Sequence, residues 1–177
     1  YFGQPLDFTA HVQVREYPDA EPVKQELKVN HPLRIDGADV YLVGNGYAPV
    51  VTVRDGEGNV SYSGPLVSVP QDSVYTSLMV IKVPDAKPEQ LGFQGFLLPT
   101  ALVGEDNVAF SGDPNAINPQ LQLNSYYGDL GLNSGEPQNV YVLDTEKMTE
   151  LNNRNLDAGG IVLGAGDTYE LPNNMGS

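Results

Sequence analysis

The chain lacks or nearly lacks several residue types on which whole classes of chemistry depend. Among its 177 residues there is no Cys, no Trp, and only two His. Without Cys, the chain has no thiol catalysis, no Cys-ligated zinc, no iron–sulfur cluster and no covalently attached haem. No run of about 18 apolar residues occurs, so the sequence contains no segment suited to span a bilayer as a helix.

Positive charge is also scarce. Nine Lys and Arg stand against 23 Asp and Glu, which gives a formal net charge of −14. A surface of this sign repels the phosphate backbones of nucleic acids and the anionic headgroups of lipids. The composition therefore predicts neither nucleic-acid binding nor peripheral docking on an anionic membrane.

Apolar and polar residues alternate in many short segments, which is the pattern of half-buried β-strands. The clearest strand is Phe8–Arg15. Val50–Arg54 and Val60–Ser63 flank Asp55-Gly56-Glu57-Gly58-Asn59, which predicts a β-hairpin. Together these segments predict a single all-β domain over residues 1–177, either a β-sandwich or an open barrel of many short, mainly antiparallel strands.

One region near the C-terminus has a mixed pattern. Residues 140–143 form an apolar run that predicts a short strand. Asp144 or Thr145 then provides an N-cap, and Glu146 stands in the first turn after it, which predicts one short helix near 145–151.

Two further segments are predicted to lack regular structure. Residues 104–119 are rich in Gly, Asp, Asn and Pro, which indicates a long surface loop. Residues 172–177 read as a tail. The chain opens on Tyr1 rather than Met, and we expect membrane-spanning segments to lie outside it.

Candidates for catalysis are few. His11 lies on the polar side of the first strand, and the extended backbone before Pro32 fixes the direction of His31. Neither His has a recognisable partner Ser, and no G-x-S-x-G motif occurs. Glu105 and Asp106 are adjacent acids that could act as an acid–base pair. We predict no catalytic, cofactor-binding or metal-binding residue in this chain.

Tyrosine is abundant, with ten residues, several of them near Gly-rich turns. In β domains the ring of a Tyr is often buried while its hydroxyl group stays in contact with water. Tyr is also enriched at protein interfaces. The residues that we predict to contact a partner are His31, Tyr41, Asn45, Tyr47, Tyr127 and Asp129.

A series of short motifs, taken in order along the chain, resembles one protein family. They are Leu6-Asp7-Phe8, Tyr17-Pro18-Asp19, Val29-Asn30-His31-Pro32-Leu33, Gly37, Val40-Tyr41, Gly46-Tyr47-Ala48-Pro49, Pro99-Thr100, Asn118-Pro119, Tyr127-Gly128-Asp129-Leu130-Gly131-Leu132, Gly135-Glu136-Pro137, Val140-Tyr141-Val142-Leu143-Asp144, Gly166-Asp167-Thr168 and Leu171-Pro172. In order and spacing they resemble the extracytoplasmic domain of ResB-type cytochrome c biogenesis proteins, in the form seen in actinobacteria.

The resemblance implies a function and a location. The domain would be held between transmembrane helices on the outer side of the cytoplasmic membrane. Family members usually continue past Leu171-Pro172 into a further strand, so the resemblance implies a strand after the tail at 172–177. It would work in system II maturation of c-type cytochromes with a ResC-type partner that handles haem. The pair would deliver haem to apocytochrome c. The family's functional histidines lie in its membrane part, so no catalytic or haem-ligating residue carries over to this chain, and we expect no cofactor bound by it.

Two other functions remain open on the residues alone. One is a secreted or surface β-sandwich module that binds carbohydrate or protein, which would require a groove lined by aromatic rings with polar neighbours. The other is a hydrolase with a carboxylate pair, which would require a cleft that holds two acids with raised pKa values.

Overall fold

The computed structural model describes residues 8–42, 44–135, 137–156 and 159–177. Within these ranges the chain is all-β, apart from two single 3-10 turns at Leu132–Ser134 and Pro172–Asn174. No helix in the same ranges is long and apolar enough to cross a membrane. The strands are β1 Thr9–Val14, β2 Val23–Lys28, β3 Leu33–Ile35, β4 Ala38–Val40, β5 Val50–Arg54, β6 Val60–Pro65, β7 Val69–Pro70, β8 Ser77–Val83, β9 Leu91–Leu98, β10 Ala101–Val103, β11 Ala109–Ser111, β12 Gln120–Gly128, β13 Met148–Asn152 and β14 Ile161–Gly164.

The chain divides into two compact units, Tyr1–Asn45 and Gly46–Ser177. The first unit contains two antiparallel hairpins. One hairpin pairs β1 with β2, from Thr9 opposite Lys28 to Val14 opposite Val23. The other hairpin pairs β3 with β4. This division does not test the expectation of one domain over residues 1–177, which stays a prediction.

The second unit is built on a six-stranded antiparallel sheet with the order β13-β12-β9-β8-β7. Its sixth strand, β14, pairs with the first half of β12, and β13 pairs with the second half along the same edge. In β8, buried and half-buried residues alternate without a break, as the two-residue period of a strand requires. β12 therefore holds three other strands in register.

One face of this sheet carries the main hydrophobic core. Ile81, Phe93 and Leu123 come from neighbouring strands and pack together on this face. Val53 of β5 packs on them, so the β5–β6 hairpin forms a second layer over the sheet. Full burial of each such side chain stabilises the fold by about 2 kcal/mol.

A smaller core covers part of the opposite face. Tyr126 of β12 packs with Leu130 and Leu143, and Val80 and Met148 lie against them. The segment after β12 therefore folds back over one end of the sheet.

The predicted fold class is confirmed. The strands are short and antiparallel, and the described strands form an open sheet and separate hairpins rather than a closed barrel. The predicted hairpin around residues 55–59 is also confirmed, because β5 and β6 pair from Val50 opposite Pro65 to Arg54 opposite Val60.

The predicted helix near 145–151 is wrong. Its capping chemistry is present, since the Asp144 carboxylate accepts the backbone N–H of Glu146 at 3.0 Å, but this bond closes a turn. The chain then enters β13, which pairs with the second half of β12 and buries Leu151. A helix here would leave that half of β12 without a partner, so sheet pairing overrides the local preference.

Two other local expectations also differ from the structure. Residues 140–143 form a turn rather than a strand, with Leu143 buried in the smaller core while Val140 is exposed. The segment 104–119, expected as one surface loop, contains β11, which pairs with β10. In the first case the apolar content predicted a strand, but packing of Leu143 on Tyr126 and Leu130 holds the segment as a turn. In the second case the turn residues predicted one loop, but part of the segment folds back and pairs with β10 just before it.

The tight approach of β9 to β12 yields a test. A Cβ atom added at Gly95 would overlap the backbone carbonyl oxygen of Gln122. We expect Gly95→Ala to lower the free energy of unfolding by about 3 kcal/mol, because backbone cannot move aside as a flexible side chain can. Gly64→Ala is the matched control, since its new Cβ would meet only the Tyr62 ring at ordinary contact distance, 3.6 Å or more. Urea denaturation of both variants measures the difference, and equal stabilities would contradict the described strand packing.

Candidate functional site

The second unit contains a cleft of about 730 Å³. One wall is β5, from Val50 to Arg54, and the floor is the core face of the six-stranded sheet. Segment 164–169, which follows β14, forms the other side. The hairpin layer and the sheet therefore leave an open channel between them.

The floor of the cleft is apolar because of strand register. Leu121 of β12 lies opposite Leu97 of β9 on one side and Leu163 of β14 on the other. Since residues directly opposite each other project to the same face of a sheet, the three leucines form a continuous row across the channel. The cleft offers apolar contact along its length.

Several polar groups of the cleft take part in internal hydrogen bonds. Asp167 is the one Asp or Glu among the described lining residues, and its carboxylate accepts the backbone N–H of Gly164 at 2.8 Å. The Tyr47 hydroxyl donates to the carbonyl oxygen of Pro114 at 2.7 Å, and the Tyr169 hydroxyl accepts from Asn152 at 2.7 Å. The described lining includes no His, Cys or Met. It therefore supplies neither a carboxylate pair for hydrolysis nor one of those side chains as an iron ligand.

The closed end of the β5–β6 hairpin is organised by the buried carboxylate of Asp55, which is 2% exposed. One of its oxygens accepts the backbone N–H groups of Glu57 and Asn59 at 3.0 and 2.9 Å. The other accepts the Ser61 hydroxyl at 3.1 Å, the Asn59 amide at 3.4 Å and the backbone N–H of Lys87 at 3.2 Å. The last bond joins the hairpin to the turn that follows β8.

Further backbone contacts around Asp55 fix β5 in place. Gly56 donates its N–H to the carbonyl oxygen of Lys87 at 2.8 Å. Arg54 exchanges two backbone hydrogen bonds with Ser177, at 2.7 and 3.0 Å. The hairpin, the 84–88 turn and the C-terminal residues therefore meet at one point, which positions the wall of the cleft.

The hydrogen bonds to Asp55 also lower the pKa of its carboxyl group. Burial raises the pKa of the Asp55 carboxyl, but the bonds from Asn59, Ser61 and the Glu57 N–H together hold that pKa below its ordinary value of 3.8. Asp55 is therefore ionised in the folded protein at neutral pH.

Three of the predicted partner-binding residues lie in the second unit, at two different ends of the sheet. Tyr127 lies opposite Leu91, at the start of β9, and Asp129 follows it, exposed, with its carboxylate on the N–H of Gly131. Tyr47 lines the cleft, and its carbonyl accepts the hydroxyl of Ser68, just before β7. The two ends of β9 are about 23 Å apart at ~3.3 Å per residue, so these three residues do not form one site.

The other three predicted contact residues lie in the first unit. His31 is exposed, and its ring Nδ1 lies 3.1 Å from the carbonyl oxygen of Val29. Tyr41 and Asn45 are exposed as well. Their role in partner binding stays a prediction.

The acids proposed for hydrolysis are not among the described residues that line this cleft. Glu105 and Asp106 lie exposed in the turn between β10 and β11, where Asp106 accepts the N–H of Val108. Across the residues that the structure describes, no group of three His, Cys, Asp or Glu side chains is arranged to hold a metal ion.

The cleft was not found from the sequence. Its residues come from β5, β8, β9, β12 and β14, and each of these segments by itself indicates only a half-buried strand. The sequence indicates which residues of each strand face inward. It does not indicate which strands share a layer, because that depends on pairing between distant segments.

The Asp55 network predicts a pH-dependent loss of stability. Asp55→Asn removes the charge that receives five hydrogen bonds, and we expect the melting temperature at pH 7 to fall by several degrees. Because the folded pKa lies below the unfolded one, the stabilisation from ionised Asp55 is present above the unfolded pKa and is lost as pH falls through the folded pKa.

The difference between the wild-type protein and Asp55→Asn should therefore shrink as the pH drops below 3.8. Thermal melts followed by circular dichroism from neutral to acidic pH measure it. The exposed Asp85→Asn is the matched control and should change little. A difference between wild type and Asp55→Asn that stays constant with pH would contradict a charged Asp55.

Comparison with known proteins identifies the chain's family. The model of the ResB-like family matches residues 1–173. No curated protein and no solved structure matches the chain. The match spans nearly the whole sequence, across both compact units. The chain therefore belongs to the ResB-like family, a membrane-associated component of cytochrome c biogenesis.

Proposed function

We propose that the chain is the extracytoplasmic domain of an actinobacterial ResB-type protein in system II cytochrome c maturation. In this role it is a non-catalytic part that holds apocytochrome c while a ResC-type membrane partner delivers haem. The observation that carries the proposal is the family match over residues 1–173.

The charge of the second unit supports the handling of a basic polypeptide. Residues 46–177 contain 16 Asp and Glu against five Lys and Arg. Such an excess attracts a positively charged client over a distance of about 10 Å at ordinary ionic strength. Long-range attraction raises the rate of encounter with an unfolded cationic chain more than it raises the final affinity.

The cleft supports contact rather than chemistry. Its row of leucines can shield apolar side chains that an unfolded client exposes, and the Tyr47 hydroxyl and the Asp167 carboxylate are engaged in internal hydrogen bonds. The lining also includes the aromatic rings of Tyr47, Phe93 and Tyr169, so a carbohydrate-binding module stays the second candidate. Glycan-array binding would favour that alternative.

The proposal predicts that binding of an apocytochrome peptide depends on salt. We expect the affinity to fall by about tenfold between ~0.05 M and ~0.5 M NaCl, because ions screen the attraction between opposite charges. Fluorescence anisotropy of a labelled peptide measures this dependence. A peptide in which Gln replaces Lys is the control and should bind weakly at both concentrations. Affinity of the Lys-containing peptide that is indifferent to ionic strength would count against electrostatic capture of the client.

A further inference from the structure

The six-stranded sheet has a second face, opposite the main core, which the smaller core covers at one end around Tyr126 and Met148. Next to that end, strand register places a row of side chains across the sheet, because residues directly opposite each other project to the same face. In order across the strands, the row is Val69, Leu78, Phe96, Gln122 and Val162. Phe96 is 45% exposed and Val162 is 52% exposed, so the row is open to solvent at its middle and at one end.

Two further sets of residues extend this row along the strands. Val80, Gln94 and Asn124 form a second, half-buried row on the side of the smaller core. Gln120 lies on the other side, two residues before Gln122 on β12 and therefore on the same face. We call the two rows and Gln120 the outer face.

The outer face carries no charge. Its members are apolar or amide side chains, whereas the chain as a whole has a net charge of −14. The central part of a protein interface is depleted in charged residues and enriched in aromatic ones. With Phe96 at its centre, the outer face has the composition of such an interface.

β12 contributes a stripe of amides to the outer face, made of Gln120, Gln122 and Asn124. A side-chain amide both donates and accepts hydrogen bonds. Gln122 donates one N–H to the side-chain oxygen of Gln120 at 2.9 Å, which uses one of the two N–H groups of the Gln122 amide. The stripe can therefore pair with an identical stripe.

The pattern of the face fits a two-fold axis that runs across the strands along the row of Phe96. Around this axis Phe96 and Gln122 would each meet the same residue of a second copy, and Gln120 would meet Asn124 of that copy. The strands of the two sheets would run antiparallel, with the sheets about 10 Å apart, as in aligned sheet packing. Apolar side chains then meet apolar side chains, and amides meet amides.

We propose that the outer face binds a second copy of this chain, sheet against sheet, around this axis. The absence of charge on the face decides between possible occupants. A cationic client would find no carboxylate there to pair with, whereas two copies can meet on this face without bringing like charges into contact. This inference goes beyond the proposed function and does not depend on it.

The size of the outer face determines the strength of the dimer. Five strands at ~4.8 Å spacing and five residues at ~3.3 Å each give roughly 400 Å² per copy. A standard protein interface buries about 800 Å² per partner, so the contact is weak. We expect the dimer to dissociate with a constant of about 0.1 mM.

Sedimentation equilibrium of the unchanged chain tests the dimer. Two copies of charge −14 repel each other at long range, and salt screens this repulsion. We therefore expect dimerisation to strengthen at least about threefold between ~0.05 M and ~0.5 M NaCl, opposite in sign to the expected binding of an apocytochrome peptide. A chain that stays monomeric up to ~1 mM, or a dimer that weakens with salt, would overturn the proposal.

A pair of variants tests whether the outer face is the surface involved. Phe96→Asp would place two carboxylates against each other at the axis, and we expect it to weaken dimerisation at least about tenfold. Phe110→Asp is the matched control, because Phe110 is 48% exposed but lies in the separate β10–β11 hairpin. The control should stay within about twofold of the unchanged chain. Equal effects of the two substitutions would exclude the outer face.

A measurement on the unchanged protein decides the matter even if Phe96→Asp perturbs the fold. In NMR spectra with a soluble nitroxide, the side-chain amide signals of Gln122 and Asn124 should be broadened at ~0.02 mM protein and shielded at ~1 mM, whereas the exposed Asn155 should be broadened at both. Broadening of Gln122 and Asn124 at both concentrations would overturn the proposal. Shielding of the same amides at the lower concentration by an apocytochrome peptide would also overturn it, in favour of the client as the occupant.

Discussion

The buried carboxylate of Asp55 is the interaction on which the site's geometry depends. It accepts five hydrogen bonds at the closed end of the β5–β6 hairpin, one of them from Lys87 beyond β8. Burial of an ionised group is costly unless its lone pairs are satisfied, and here each oxygen has at least two donors. Because the bond to Lys87 ties the hairpin layer to the sheet layer, the same carboxylate sets the distance across which the cleft opens.

A second constraint is that the backbone N–H and carbonyl groups along each strand edge need hydrogen-bond partners. The long strand β12 satisfies one edge with β9 and shares its other edge between β13 and β14. At the junction of these two strands, Ser125 and Asn152 form a buried hydrogen bond of 2.9 Å beside an irregularity in the ladder.

Charge and apolar surface play separate roles in this picture. The excess of acids acts over several ångströms and does not depend on the detailed position of any one side chain. The leucine row acts only in contact and depends on the register of three strands. Under the proposed function, the charge would attract a cationic client and the leucine row would then contact its apolar residues.

Several features of this protein follow from sequence alone. Composition determined the net charge and excluded thiol chemistry, since both depend only on counts. Two-residue alternation determined the strand character of residues 8–15 and the hairpin around Asp55, because these patterns are local. The order of short motifs gave the family before the fold was known, and the family match over residues 1–173 agrees.

Tertiary structure decided the rest. Residues 145–151 carry a good helix start, yet they form β13 because half of β12 needs a partner. Six residues were predicted from the sequence to contact a partner, and of these six Tyr47 alone lines the cleft. It did not mark Leu97, Leu121 or Leu163, which form the floor. Pairing between strands far apart in sequence is a property of the whole chain, and it alone determines which half-buried faces meet.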